Sequence, residues 1–284
     1  MNKSTNNFCT IVSQGYISYA KVLLESIQNN GSQAHLHVLV VDAKVNMDES
    51  QISFYSFGDL RSFSKAKLIE DKYHNQPGEL RWSLKPVFMS YLLLGGIDDL
   101  VYLDADMFFF GDYQFIFEEL GRSNVLLTPH WRPPDPRVNS KDFHLLLTEG
   151  IYNAGFVGVN SQAIEMLKWW EEVCLYDCRK EPSIGLFYDQ KYLDLVPIYF
   201  EKVKTLKHLG LNVANWNLRV AQRKKEKNEV KINGEFPVIF IHFTKRTIDQ
   251  IDLGKDKTLR PFLKEYRSSC KKHGITIHKK NRLW

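Results

Sequence analysis

The sequence has no run of about 18 apolar residues, the length a helix needs to cross a bilayer, so no transmembrane helix is expected. Its first residues, "MNKSTNNFCTIVSQ", lack the apolar stretch and cleavage site of a secretory signal. Cysteine is scarce. Cys9, Cys174, Cys178 and Cys270 form neither a disulfide framework nor a zinc pattern, and the spacing of Cys174 and Cys178 suits packing neighbours on one helix face. Reduced thiols in a cytoplasmic protein are the expectation. Positive charge is also missing from most of the chain. The net charge is +5, yet residues 255–284 alone carry ten Lys/Arg against Asp256 and Glu265, so residues 1–254 sum to −3. That balance argues against a nucleic-acid partner, which needs a basic footprint on the body. Internal repeats and low-complexity linkers are absent too.

The 284 residues are 44% hydrophobic and 13% aromatic, ample for a large core. Along the chain, short apolar runs alternate with helical patterns. "FCTIVSQGY" reads as a first strand, followed by a helix from about Tyr19 to Asn30 that Gly31 is placed to stop. "AHLHVLVVDA" is a second strand, ending at Asp42. A weaker run precedes the helix "LKPVFMSYLLLGG", and "LVYLDADMFFFGD" is a further strand. "NVLLTPH" and "GIYNAGFVGVN" read as strands around the proline-stiffened "WRPPDP" loop. "SQAIEMLKWWEEVCLYDC" follows as a helix, "DQKYLDLVP" as a shorter one, "RVAQRKKEKNEVKINGE" as a basic polar stretch and "FPVIFIHF" as a last strand. This alternation predicts an α/β fold with a mainly parallel sheet covered on both faces, its ligands beyond the carboxyl ends of the strands.

Asp104 and Asp106 stand where such a strand ends. In extended chain, positions two apart share a face, so both carboxylates point the same way across Ala105. Two adjacent anions on a buried strand require a cation or donors to meet them. One reading is a D-x-D metal site, in which Mg²⁺ or Mn²⁺ holds a diphosphate. Others are an Asx turn that ends the strand, or a phosphohydrolase with Asp104 as nucleophile, although the latter prefers Thr or Ser soon afterwards and "MFFF" follows here. The strand end Thr10, Ile11, Val12 and Ser13 offers backbone groups and small polar side chains, and Asp42 ends the neighbouring strand. Lys85 supplies a point cation to a diphosphate or an ion-pair partner to the aspartates. Asn153-Ala154-Gly155 provides an amide and two residues small enough for close backbone approach. Asp189 suits a helix N-cap. His242, at a strand end, is either structural or a third metal ligand. Trp169-Trp170 and Phe108–Phe110 read as packing. Trp131, with His130, Arg132 and Asp135 on the same loop, reads as an acceptor contact.

The segment "RWSLKPVFMSYLLLGGIDDLVYLDADMFFFGD" resembles the core of GT-A nucleotide-sugar glycosyltransferases, particularly glycosyltransferase family 8 and its bacterial relatives. The resemblance covers about residues 8–250, and "TIVSQGY", Lys85, Asn153–Gly155, Asp189-Gln190 and His242 follow in the family's order. It implies a GT-A fold and a retaining hexosyltransferase that moves a sugar from a UDP-sugar to a hydroxyl of a glycan or lipid-linked acceptor. Asp104, Asp106 and His242 would hold Mn²⁺ or Mg²⁺. Thr10–Ser13, Asp42, Lys85, Asp104, Ala105, Asn153–Gly155 and Lys245 would meet the donor, Thr10–Ser13 at its pyrimidine and Asp42 at its ribose, and Asp189 and Gln190 would stand beside its anomeric carbon. One departure is plain. The family's histidine is followed by a glycine and then a lysine, whereas "HFTKRTIDQ" has Lys245 and Arg246 and no glycine. A non-catalytic sugar-binding module on the same fold is the remaining alternative.

The expected division is a catalytic domain over residues 1–254 and a basic helix or tail over 255–284. In that tail Leu259, Phe262, Leu263 and Tyr266 share a helical face. Such a segment either rests on an anionic membrane surface, placing the protein peripherally on the inner face of the cell membrane in polysaccharide assembly, or closes the domain.

Overall fold

The structure, a computed structural model, describes residues 5–280 except 32, 46, 48, 62 and 228. β1 (Asn6–Val12) leads through a 3₁₀ turn into α1 (Ile17–Asn29), β2 (Ala34–Val40) and β3 (Ile52–Ser56). Next come α2 (Ser64–Tyr73), α3 (Pro77–Leu94), β4 (Asp99–Leu103), β5 (Met107–Phe109), α4 (Gln114–Leu120) and β6 (Val125–Pro129). α5 (Ser140–Glu149), β7 (Tyr152–Asn160) and α6 (Ile164–Tyr176) follow. Then come β8 (Lys180–Glu181), β9 (Leu186–Phe187), α7 (Val196–Tyr199) and β10 (Val203–Thr205). The last stretch holds β11 (Arg223–Glu226), β12 (Glu229–Ile232), β13 (Phe236–Pro237), β14 (Phe240–His242), α8 (Lys245–Asp252) and α9 (Arg260–Lys272).

Seven strands form one sheet in the order β10-β6-β7-β4-β1-β2-β3, with every pairing parallel except those of β7 to β4 and β6. β1, β2 and β4 are buried almost throughout, as apolar runs covered on both faces must be. The chain runs outward from β1 to β3, then returns through α2 and α3 to place β4 on the other side of β1. That reversal opens a crevice at the carboxyl ends of β1 and β4, the usual ligand position in such sheets. A separate two-stranded ladder pairs β5 with β14, setting His242 opposite Met107. The register explains the site: the residue after Asp106 is bonded to the strand that carries the histidine.

Several expectations are refined. Asn30, not Gly31, caps α1. A Cβ on Gly31 would lie 2.3 Å from the Tyr113 ring, so the glycine answers to packing. "FPVIFIHF" is two strands, because the Ile239 amide turns away to the Gly210 carbonyl. The basic stretch is an antiparallel hairpin, β11–β12, continued into β13 through Asn233 and Gly234 at φ 55° and 80°. α5, capped by the Asn139 side chain on the Asp142 amide, escaped the sequence pattern. Trp170 is fully buried and Phe108–Phe110 pack in the core, as read from the sequence.

The face of α9 that carries Leu263, Tyr266 and Cys270 is buried, as is Leu259 just before it. Tyr266 stacks on Phe243 at 4.2 Å and meets Phe108 edge-on. Glu25 of α1 accepts hydrogen bonds from Ser269, Lys272 and His273, and Asp252 is gripped by both terminal nitrogens of Arg267. The apolar face of this helix therefore meets the core, and part of the basic charge of residues 255–280 is answered by carboxylates of the body. Among the described residues no helix is long and apolar enough to cross a membrane.

Candidate active site

At the crevice, the carboxylates of Asp104 and Asp106 and the imidazole of His242 present ligand atoms within 4.8 Å of one another. His242 Nε2 lies 2.9 Å from Asp106 Oδ1 and 3.8 Å from Asp104 Oδ2. Beneath them is Gly155 of β7. A Cβ there would stand 2.6 Å from Asp104 Oδ2 and 2.9 Å from His242 Cε1, so only a glycine lets the two ligands close in over the strand. Two hard carboxylate oxygens and one imidazole nitrogen suit Mn²⁺ or Mg²⁺, and the residues fit such an ion.

Lys85 projects from the middle of α3 and is 3% exposed. Its ammonium lies 3.0 Å from Asp189 Oδ2 and 3.6 Å from Asp104 Oδ1, and donates to the Ala154 carbonyl. Burial alone would lower its pKa, but Asp104 and then Asp189 outweigh it and hold the charge. Asp104 is likewise raised by burial but lowered overall, by Lys85 first, then His242 and the Tyr102 hydroxyl. Burial pushes Asp189 up to about 6, against the pull of Lys85. His242 is lowered by burial yet raised overall by Asp106 and Asp104, a record of excess negative charge at this point.

A cleft of about 240 Å³ opens beside the aspartates. Ile11, Val12 and Ser13 form one side, Arg81, Trp82 and Lys85 another, and Asp104, Ala105 and Asp106 its end. The sequence-derived set is thus only partly gathered. Thr10 is fully buried and does not line this cleft, and Asp42 is exposed, accepting a hydrogen bond from the Gln14 amide at 2.7 Å. Lys245 is exposed at the start of α8. Asp189 and Gln190 are buried behind the wall rather than lining it. Asp189 is not a side-chain cap. It acts on Lys85, while its carbonyl accepts from Trp170 Nε1.

Sequence reasoning missed the network under Asn153. Asn153 Oδ1 accepts from the Gly155 amide and from Asn212 Nδ2, while its own Nδ2 donates to His130 and to Gln190. Gln190 accepts in turn from the Ala154 amide and donates to the Glu149 carbonyl. Asn212, at φ 54° and fully buried, also donates to Thr128, and its carbonyl is held by Asn217. The signal was available in "NVANWN", three asparagines in six residues of a stretch given no element. His130 donates to the Gly150 carbonyl and is kept neutral, its pKa pushed down to about 3 by burial and then by Arg132. Asp135 turns outward onto Arg137.

A doubly covered, mainly parallel sheet with a carboxylate pair and a histidine at its reversal point defines a protein of the GT-A glycosyltransferase fold. Solved structures agree. Mouse xyloside xylosyltransferase 1 superposes with a TM-score of 0.54 at 13% identity over 86% of this chain and 99% of its own. The galactosyltransferase LgtC, solved with donor and acceptor sugar analogues, gives 0.54 at 15% identity over 96% and 97%. No family profile matches the chain. In sequence it belongs to the family of YfnD of Bacillus subtilis (strain 168), itself uncharacterized, with 30% identity over 254 residues covering 86% of this chain and 79% of YfnD. YfnF of the same organism is 25% identical over 283 residues, 95% of this chain and 93% of that protein.

Proposed function

We propose that the protein is a metal-dependent glycosyltransferase of the family 8 type that moves a hexose from a UDP-sugar to a hydroxyl of a glycan or lipid-linked acceptor, with retention of configuration. Polysaccharide assembly on a bacterial cell surface is the setting this reading favours. The observation that carries the proposal is the cluster of Asp104, Asp106 and His242, closed over Gly155 at the end of a cleft whose other wall is the carboxyl end of β1. Asp104, Asp106 and His242 would hold the ion, which when bound offsets the charge of the diphosphate.

The rest is the work of this chain. Ile11 and Val12 supply a flat apolar wall for a pyrimidine, and Ser13 a polar end to it. Lys85 carries its charge at the cleft wall, where a departing diphosphate gathers negative charge. Asp189 positions Lys85, and Gln190 fixes Asn153–Gly155 and so the strand beneath the three ligands. In transfer, the acceptor oxygen bonds to the anomeric carbon as the bond from that carbon to the diphosphate oxygen breaks. The electron pair leaves with UDP, and the hydroxyl proton passes to that diphosphate.

Calorimetry tests the reading directly. UDP is expected to bind with Mn²⁺ and at least about tenfold more weakly in EDTA, a difference of ~1.4 kcal/mol. Asp104→Asn and Asp106→Asn are each expected to abolish the metal-dependent part without loss of fold by circular dichroism. Equal binding of UDP, ADP and GDP, or turnover of a general phosphate ester in place of UDP-sugars, would overturn it.

A further inference from the structure

A second cavity, of about 440 Å³, lies on the other side of His242 and shares no lining residue with the first cleft. Its wall includes Arg132, Lys141, Arg219, Arg246 and Lys255, against a single lining carboxylate, Asp142. Asp142 is itself engaged by Arg219 at 3.4 Å and Arg132 at 3.8 Å, and Arg132 bonds Glu149 at 2.5 Å. Among the described residues, no carboxylate pairs with Lys141 of α5, with Arg246 in the first turn of α8 or with Lys255 just past its end, and all three are exposed. Like charges gathered from distant segments around one concave space repel, and the arrangement is favoured when an anion occupies the centre. The volume is that of a small-molecule site.

The cavity is coupled to the reaction centre by one ring. Trp216 lines it, meets His242 edge-on at 5.3 Å and meets His130 at 5.5 Å. Its indole Nε1 and the Nε of Arg132 are buried donors without a partner among the described residues. A sugar resting against Trp216 would lie one ring away from His242, while the first cleft stays free for the nucleotide.

We infer that this cavity receives the acceptor, and that the acceptor carries an oxyanion, a carboxylate or phosphate on a sugar, held by Arg246, Lys255 and Lys141. The assignment to the acceptor rests on the glycosyltransferase reading; the anion site itself does not.

The test uses the full chain with glucuronic acid, glucose 6-phosphate and glucose as probes, titrated by calorimetry with UDP and Mn²⁺ present. At least one charged sugar is expected to bind ten or more times tighter than glucose, ~1.4 kcal/mol or more. Which of the two does so distinguishes carboxylate from phosphate. Arg246→Glu with Lys255→Glu, both at exposed positions, is expected to weaken that binding at least about tenfold while UDP·Mn²⁺ affinity stays within about twofold. The inference falls if neither charged sugar outbinds glucose. It also falls if the charged sugar competes with UDP·Mn²⁺, or if the double variant loses UDP instead. Binding of a charged sugar by a protein that fails to bind UDP·Mn²⁺ would uphold the anion site and overturn the glycosyltransferase reading.

Discussion

Gly155 carries more of the site than its size suggests. Its carbonyl accepts from the Asp104 amide at 2.8 Å, its amide bonds Asn153, and its absent side chain lets two proposed metal ligands approach the strand closely. In Gly155→Ala the new methyl group must displace the Asp104 carboxylate, Asn153 or the imidazole, since all three lie within 3 Å of it. Overpacking of this kind costs about 1–3 kcal/mol, which the fold can absorb. The ligand geometry cannot move without loss. The variant is expected to fold with a lowered melting temperature and to bind UDP·Mn²⁺ at least about tenfold more weakly. Calorimetry at wild-type affinity would show that the close approach over Gly155 is incidental.

At the scale of elements, α9 is held by charge as well as by its apolar face, and that makes its docking sensitive to acid. Burial raises the Glu25 carboxyl, but hydrogen bonds from Lys272, His273 and Ser269 outweigh it and leave it below its ordinary 4.5. Asp252 is likewise raised by burial and brought below 3.8 by Arg267 and the Lys280 amide. A depressed carboxylate pKa stabilises the fold above the unfolded value and loses that contribution as pH falls through the folded one. Melting temperature is therefore expected to fall from about pH 5 toward about pH 3, and to fall less in Glu25→Gln/Asp252→Asn. Identical acid profiles for the two proteins would show that neither pair matters. The same helix shows what sequence can reveal. Its amphipathic pattern was legible, and so were the carboxylate-tipped strands, because burial on both faces leaves a local signature. What covers the apolar face was not, nor was the reversed direction of β7, since both depend on the path of the rest of the chain. In the site, Asp104, Asp106 and His242 were legible by type and order. The Asn153–Asn212 network and the retreat of Asp189 behind Lys85 arise only when distant segments meet.

Across the whole molecule, the site is assembled from remote parts of the chain. Asp104 and Asp106 belong to the end of β4 and the turn after it, and His242 to β14, half a chain away; the β5–β14 ladder joins them. Long-range pairing of this kind closes after local structure has formed, because the loop entropy precedes the reward. An ion held by all three side chains would thus recognise only the finished fold, and would act as a latch rather than a seed. With UDP and Mn²⁺ at about a hundred times their dissociation constant, stability is expected to rise by ~2.7 kcal/mol. That gain is expected to appear as unfolding slowed about a hundredfold, with the refolding rate unchanged. Stopped-flow chevrons with and without the ligands read this out, and a ligand-accelerated folding limb would mean that the histidine and the aspartates meet early.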